Sequence, residues 1–246
     1  MSSPFALDHL STEPLADDSA RQLSGLLLEQ AEQGGNAAQV ALGRLLLAGK
    51  GIRTDAPLAR RWFAIAAQDG HGEALNLLGR CLENGWGGAI DLPAAADCYA
   101  RAAGTGEPWA MFNLAQLLLK GEGVSADPQA ACRLLQCSAA AGNAKAMTQL
   151  GVLHEQGLCM AVDRAAAERC YRQGAEGGDF RGWYRLAALL LKDGQRTGEA
   201  LAALRQALAE TPPAFYPQAL AELAASEHEV VRQLAEDYRR GAVVQP

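Results

Sequence analysis

Ala59, Trp62, Phe63, Ala66 and Ala67 fall at i, i+3, i+4, i+7 and i+8, which predicts a helix with one buried stripe. The same spacing returns 36 residues later as Ala95, Cys98, Tyr99, Ala102 and Ala103. A second kind of apolar run precedes each stripe; the one over Glu73–Asn84 predicts a helix that ends at Gly85, where a left-handed residue is needed. Asp91 then stands before Leu92-Pro93-Ala94, a carboxylate N-cap with proline in the first turn, where its missing N–H costs nothing. The helix that follows runs to Ala103 and stops near Gly106. Asp55 with Pro57, and Asp127 with Pro128, repeat the same start signal.

These helix pairs recur in register. Gly43, Gly79, Ala115, Gly151 and Ala187 lie 36 residues apart, each behind a leucine (Leu42, Leu78, Leu114, Leu150, Leu186). Six places after the small residue comes Gly49, Gly85, Gly121 or Gly157; twelve after it comes Asp55, Asp91, Asp127 or Asp163; twenty-seven after it comes Gly70, Gly106, Gly142 or Gly178. A fixed period of this size is the signature of stacked repeats, none of which can bury its apolar face alone. The expected fold is all-α, a right-handed α-solenoid (superhelix) of helix–turn–helix units, with thirteen or so helices and no strand within residues 34 to 210. The small residue lets the first helix of a unit approach its neighbours, and the large residue on the second helix fills the remaining gap.

The pattern resembles the Sel-one-like repeat family, a relative of the tetratricopeptide repeat. The first unit supplies Ala38, Leu42-Gly43, Gly49-Lys50-Gly51-Ile52, Asp55, Ala59, Trp62-Phe63, Ala66-Ala67 and Gly70 of that family's motif. Its first-helix tyrosine is replaced by Leu46, Leu82, Leu118 and His154. The resemblance covers roughly Gly34 to Gly178, and more loosely Asp179 to Ala209. It implies a scaffold that assembles or regulates partner proteins.

The domain reading follows from where the repeat begins and fades. Residues 1–18 hold two prolines, four acidic groups and no period, so they are expected to form a mobile tail; residues 19–246 are expected to form a single solenoid domain. Within it, residues 19–33 form a capping helix with Leu23, Leu26, Leu27 and Ala31 in the buried register. Four repeats occupy residues 34–178 and a degenerate, tetratricopeptide-like unit residues 179–211, with helices over Arg181–Lys192 and Glu199–Ala209. Pro212-Pro213 punctuates the chain, and residues 212–246 close it with helices near Tyr216–Ala225 and Glu227–Arg240.

A net charge of −6 argues against general nucleic-acid binding and against electrostatic attachment to anionic lipid. The opening residues show no basic-plus-apolar leader, and no apolar stretch approaches the length that spans a bilayer, so the cytoplasm is the expected location. The six cysteines are Cys81, Cys98, Cys132, Cys137, Cys159 and Cys170. In secreted cysteine-rich relatives of the resembled family, a disulfide joins one unit's second helix to the next unit's first. Those positions hold alanines here (Ala67 with Ala74, Ala103 with Ala110, Ala139 with Ala146). Six free thiols in a reducing compartment are therefore expected.

No constellation for chemistry stands out. His9, His71, His154 and His228 do not converge, and no pair has zinc-ligand spacing with cysteine. Gly49-Lys50-Gly51 and Gly121-Glu122-Gly123 resemble phosphate loops only superficially, since they end helices and no strand precedes them. Neither catalysis, a metal nor a cofactor is expected.

The candidate site is the groove. By analogy with tetratricopeptide geometry, first helices face inward with residues at −6, −3, +1, +4 and +5 from the small residue. This selects Arg44, Glu73, Asn76, Arg80, Glu83, Asn84, Trp109, Phe112, Gln116, Lys120, Lys145, Thr148, Glu155, Gln156, Arg181, Tyr184 and Lys192. Six are basic and three acidic, on a chain that is net acidic. Trp109, Phe112 and Tyr184 form either an aromatic hot spot for a partner or packing between repeats. Arg44 and Arg80 share one repeat position and could clamp carboxylates on adjacent rungs. The expected function is a non-enzymatic adaptor or scaffold that holds a partner protein or peptide bearing acidic groups in this groove. An accessory subunit that stabilises one specific enzyme is the alternative.

Overall fold

A computed structural model of the chain describes residues 18–49 and 52–240, with side chains from residue 24 onward. The expected mobile tail lies outside the described residues, apart from Asp18, and so does the Leu23 side chain. Among the described residues there are thirteen helices and no strand. They are α1 (Asp18–Glu32), α2 (Asn36–Ala48), α3 (Ala56–Gln68), α4 (Gly72–Asn84), α5 (Leu92–Gly104), α6 (Pro108–Lys120), α7 (Pro128–Ala140), α8 (Ala144–Gln156), α9 (Arg164–Glu176), α10 (Phe180–Leu191), α11 (Thr197–Glu210), α12 (Tyr216–Ala224) and α13 (Glu229–Arg239). The expected boundaries hold to within about two residues, the usual scatter at fraying helix ends.

The chain divides into two compact units, residues 1–134 and 135–246. In the first, each helix from α1 to α6 packs on its neighbour in sequence, and α2, α4 and α6 also touch in succession. In the second, α8 packs on α9, α9 on α10, α10 on α11 and α12 on α13.

The punctuation residues act as their chemistry dictates. Asp55, Asp91, Asp127 and Asp163 each accept a hydrogen bond from the backbone N–H three residues on (Leu58, Ala94, Ala130, Ala166) at 2.9–3.0 Å. Each such bond satisfies one amide that the first helical turn leaves orphaned. At the opposite ends Gly49, Gly85, Gly121 and Gly157 hold φ between 65° and 70°, a conformation that only glycine adopts without strain.

Between the two helices of a unit, the missing side chain of glycine is filled by an aromatic ring. A methyl group at Gly43 would stand 2.5 Å from the Phe63 ring, one at Gly79 2.6 Å from Tyr99, and one at Gly151 2.6 Å from Tyr171. Phe63, Tyr99 and Tyr171 are all fully buried. The buried stripe of α3 is the expected one: Ala59, Trp62, Phe63, Ala66 and Ala67.

Two expectations are corrected. Leu26 is 59 % exposed, so α1 buries Ser24 and Ala31, with Leu27 and Leu28 partly covered beside them. That face is set by contact with α2, where Gln39 also donates a hydrogen bond to the Ala31 carbonyl at 3.0 Å. The second correction concerns sulfur. Cys132 and Cys159 are disulfide-bonded, and only Cys81, Cys98, Cys137 and Cys170 are free. Cys159 has φ 61° and is the only non-glycine residue with positive φ among the described residues. It stands two places after Gly157, where the earlier units carry Gly87 and Gly123, also at positive φ. The comparison with alanines at the relatives' disulfide positions could not detect these two cysteines, because they stand elsewhere in the repeat.

Burial pushes the Cys81 thiol up to about 11 and raises Cys98 and Cys170 as well, which keeps them as unreactive thiols. Cys137 is exposed. Titration with a thiol reagent should therefore find one fast-reacting thiol in the native protein, four after denaturation, and six after denaturation with reductant. Six without reductant would remove the disulfide.

Candidate partner-binding face

The first helices of the repeats carry the predicted face, but much of it is spent inside the fold. Asn76 is buried and accepts a hydrogen bond from the Asn113 amide of the next first helix at 2.9 Å. Thr148 is buried and donates to the Ala144 carbonyl at 3.3 Å, in its own helix. Glu83 accepts the Tyr99 hydroxyl at 2.6 Å, and Glu155 accepts Tyr171 at 2.7 Å in the same register two units later. The buried aromatic that fills the glycine gap thus also fixes a glutamate. Burial, reinforced by the glutamate acceptor, pushes both tyrosine hydroxyls up, so they remain donors.

Other members are held locally. Arg44 forms an ion pair with Glu73, and the Arg80 guanidinium lies 5.0 Å from the centre of the Trp86 ring. Asn84 donates to the Arg80 carbonyl, and Lys120 pairs with Glu122 at 3.4 Å. Gln116 is half-buried. Trp109 remains 46 % exposed, edge-on to Phe112 with ring centres 6.4 Å apart.

Arg181 and Tyr184 instead line an open cavity of about 600 Å³ in the second unit. Its walls come from α10, the Thr211–Phe215 link and α12, with Lys145 of α8 at the edge. Phe180 sits edge-on to Tyr184 at 6.3 Å and 6.5 Å from Phe215, whose ring is 55 % exposed. The Tyr184 hydroxyl is hydrogen-bonded to Thr211 at 2.9 Å. Arg181 pairs with the buried carboxylate of Asp179 at 2.9 Å. Glu222 accepts from Gln218 at 2.9 Å, while Arg185 makes no hydrogen bond or ion pair among the described residues.

Position counting missed Phe180, Arg185 and Phe215. The signal for them was present: Pro212-Pro213 places Phe215 at the start of a new helix, and the shortened link alters the spacing assumed for a regular unit. Among the described residues no group of three or more His, Cys, Asp or Glu is placed to hold a metal, and no helix is long and apolar enough to cross a membrane.

Charged pairs also brace the second unit. Arg196 bridges Glu168 and Glu199 at 2.7 Å each, and Arg172 also bonds Glu168. Hydrogen bonds from Arg196 hold the Glu168 carboxyl below the usual carboxylate range. Burial pushes Glu155 up, but bonds from Lys192 and Tyr171 outweigh it and hold that carboxyl low as well. A carboxyl whose folded pKa is depressed stabilises the fold above its unfolded value and loses that contribution as pH falls through the folded one. The urea midpoint of the second unit should therefore drop as pH falls below about 4.3, the ordinary glutamate value. Glu168→Gln should lower the midpoint at neutral pH and flatten the acid limb. An unchanged limb would assign the acid sensitivity to other carboxylates.

Among the described residues, thirteen helices packed on their neighbours, with helix pairs recurring in register, define a helical-repeat protein. The Sel1 repeat pattern matches residues 36–71, 72–104, 110–143 and 144–179, more than half of the chain, and the chain belongs to the Sel1 repeat family. Proteins of this family generally bind other proteins. No curated protein matches the chain.

Among solved structures, a Sel1 repeat protein from Oxalobacter formigenes is similar at 22 % identity and TM-score 0.69, over 87 % of this chain and 95 % of its own. A protective antigen of uropathogenic Escherichia coli with the same fold is similar at 24 % identity and TM-score 0.66, over 90 % of this chain and 49 % of its own. An immunity protein from Pseudomonas aeruginosa is similar at 17 % identity and TM-score 0.53, over 94 % of this chain and 83 % of its own. At these identities the likeness carries the fold alone.

Proposed function

We propose that this protein is a non-enzymatic scaffold that holds a partner protein on the face presented by the first helices of its repeats. The observation that carries this reading is the cavity floored by Phe180, Tyr184 and Phe215. Rigid aromatic side chains left partly exposed around a concavity are what a binding hot spot requires, because they add contact area at small entropic cost. Trp109 against Phe112 offers a second aromatic patch, in the first unit. Arg44 and Arg80 contribute less than their repeat position suggested, since Glu73 and Trp86 already engage them. The disulfide-bonded state of Cys132 and Cys159 does not fit the reducing compartment that six free thiols implied.

The test is affinity purification of the native chain beside two folded variants, Tyr184→Ala with Phe215→Ala, and Arg44→Ala with Arg80→Ala. A partner retained by the native chain should be lost from the first variant and weakened little in the second. Equal retention by all three would move binding away from the first helices. A single enzyme recovered in equal amount would select the accessory-subunit alternative.

A further inference from the structure

We propose that the cavity of the second unit recognises a partner segment in which an aromatic side chain stands next to an aspartate or glutamate, and that Arg185 reads the carboxylate. The inference rests on the docking reading above and names the chemistry of the docked segment.

The charge around the cavity is lopsided. Lys145, Arg181 and Arg185 border it against one carboxylate, Glu222, on a chain of net charge −6. Glu222 already accepts from Gln218, and Arg181 already serves Asp179. Arg185 is exposed and bonds to nothing among the described residues; Glu155, whose carboxyl it influences, is already bonded by Lys192 and Tyr171. A guanidinium on a helix, beside an aromatic floor and with five donors unspent, matches a carboxylate in two-point geometry.

The floor sets the other half of the requirement. Phe180 packs edge-on to Tyr184 and tilted against Phe215, so the rings offer both edges and faces to an incoming ring. About 600 Å³ lies within the range of pockets that enclose a ligand, and it accommodates one aromatic side chain and its neighbour. A basic segment would meet like charge, and an aliphatic acidic segment would leave the rings uncovered.

The experiment is selection of random heptapeptides displayed on phage against the purified full-length chain, its Arg185→Ala variant and its Arg185→Lys variant. Arg185 is exposed, so thermal melts should confirm that both variants fold. Native protein should enrich peptides with Phe, Tyr or Trp adjacent to Asp or Glu. A synthetic peptide from that pool should lose about 10- to 150-fold in affinity when its acid becomes the amide, the range for a hydrogen bond to a charged group. Arg185→Ala should abolish the difference between acid and amide peptides, and Arg185→Lys should keep part of it. Enrichment without the acidic–aromatic pattern, or a difference that survives Arg185→Ala, overturns this inference and leaves the docking reading standing. No enrichment on the native chain overturns both.

Discussion

Replacing Phe63 by alanine should destabilise the first unit by about 3–5 kcal/mol, among the largest single-residue effects expected in this protein. The Phe63 ring is fully buried and fills the hollow above Gly43, which has no side chain of its own to close the gap. Because α2, α3 and α4 pack as successive neighbours, the loss should be felt there first. Hydrogen exchange provides the measurement. Amides of α2 and α3 should exchange faster by the full destabilisation, while those of α10 and α11 keep their protection. A uniform loss across both units would show one cooperative block in place of neighbour-by-neighbour stability. A mutant as stable as wild type would refute the packing role assigned to the ring.

Gly79→Ala should destabilise the protein by about 1–3 kcal/mol, although alanine favours a helix over glycine by roughly 1 kcal/mol. The new methyl group would stand 2.6 Å from Tyr99 Cε1, a separation that forces helix or ring to move. Tyr99 has little room to yield, since it is fully buried and its hydroxyl is tied to Glu83. The control is Gly198→Ala in α11, where an added methyl meets nothing within 4 Å and the propensity gain should stand alone. Thermal melts decide between the signs, at about 2–4 °C per kcal/mol for a chain of this size. Adding Tyr99→Leu to Gly79→Ala should recover part of the loss, because the third repeat carries Ala115 and Leu135 at these two positions. A stabilised Gly79→Ala would show that steric closeness does not explain the small residue.

Much of the candidate site was legible as a list of positions but not as a set of free groups. Two of the counted positions, Arg181 and Tyr184, line the cavity of the second unit. The same counting could not tell that Asn76 would be consumed by Asn113, Glu83 by Tyr99 or Arg44 by Glu73. Each of those partners lies on a different helix, 16 to 37 residues away along the chain, and a single-helix pattern carries no information about that distance. Arg185, two places before Ala187, fell outside the inward positions altogether.

Helix content, boundaries and repeat length followed from the sequence because their causes are local. An aspartate caps the amide three residues ahead, a glycine ends the turn behind it, and apolar side chains three and four apart share a face whatever lies opposite. The exposure of Leu26 and the cavity beneath Phe215 were decided only in the tertiary structure. They depend on how far apart separate helices come to rest, and that distance is set by the volumes of the side chains packed between them.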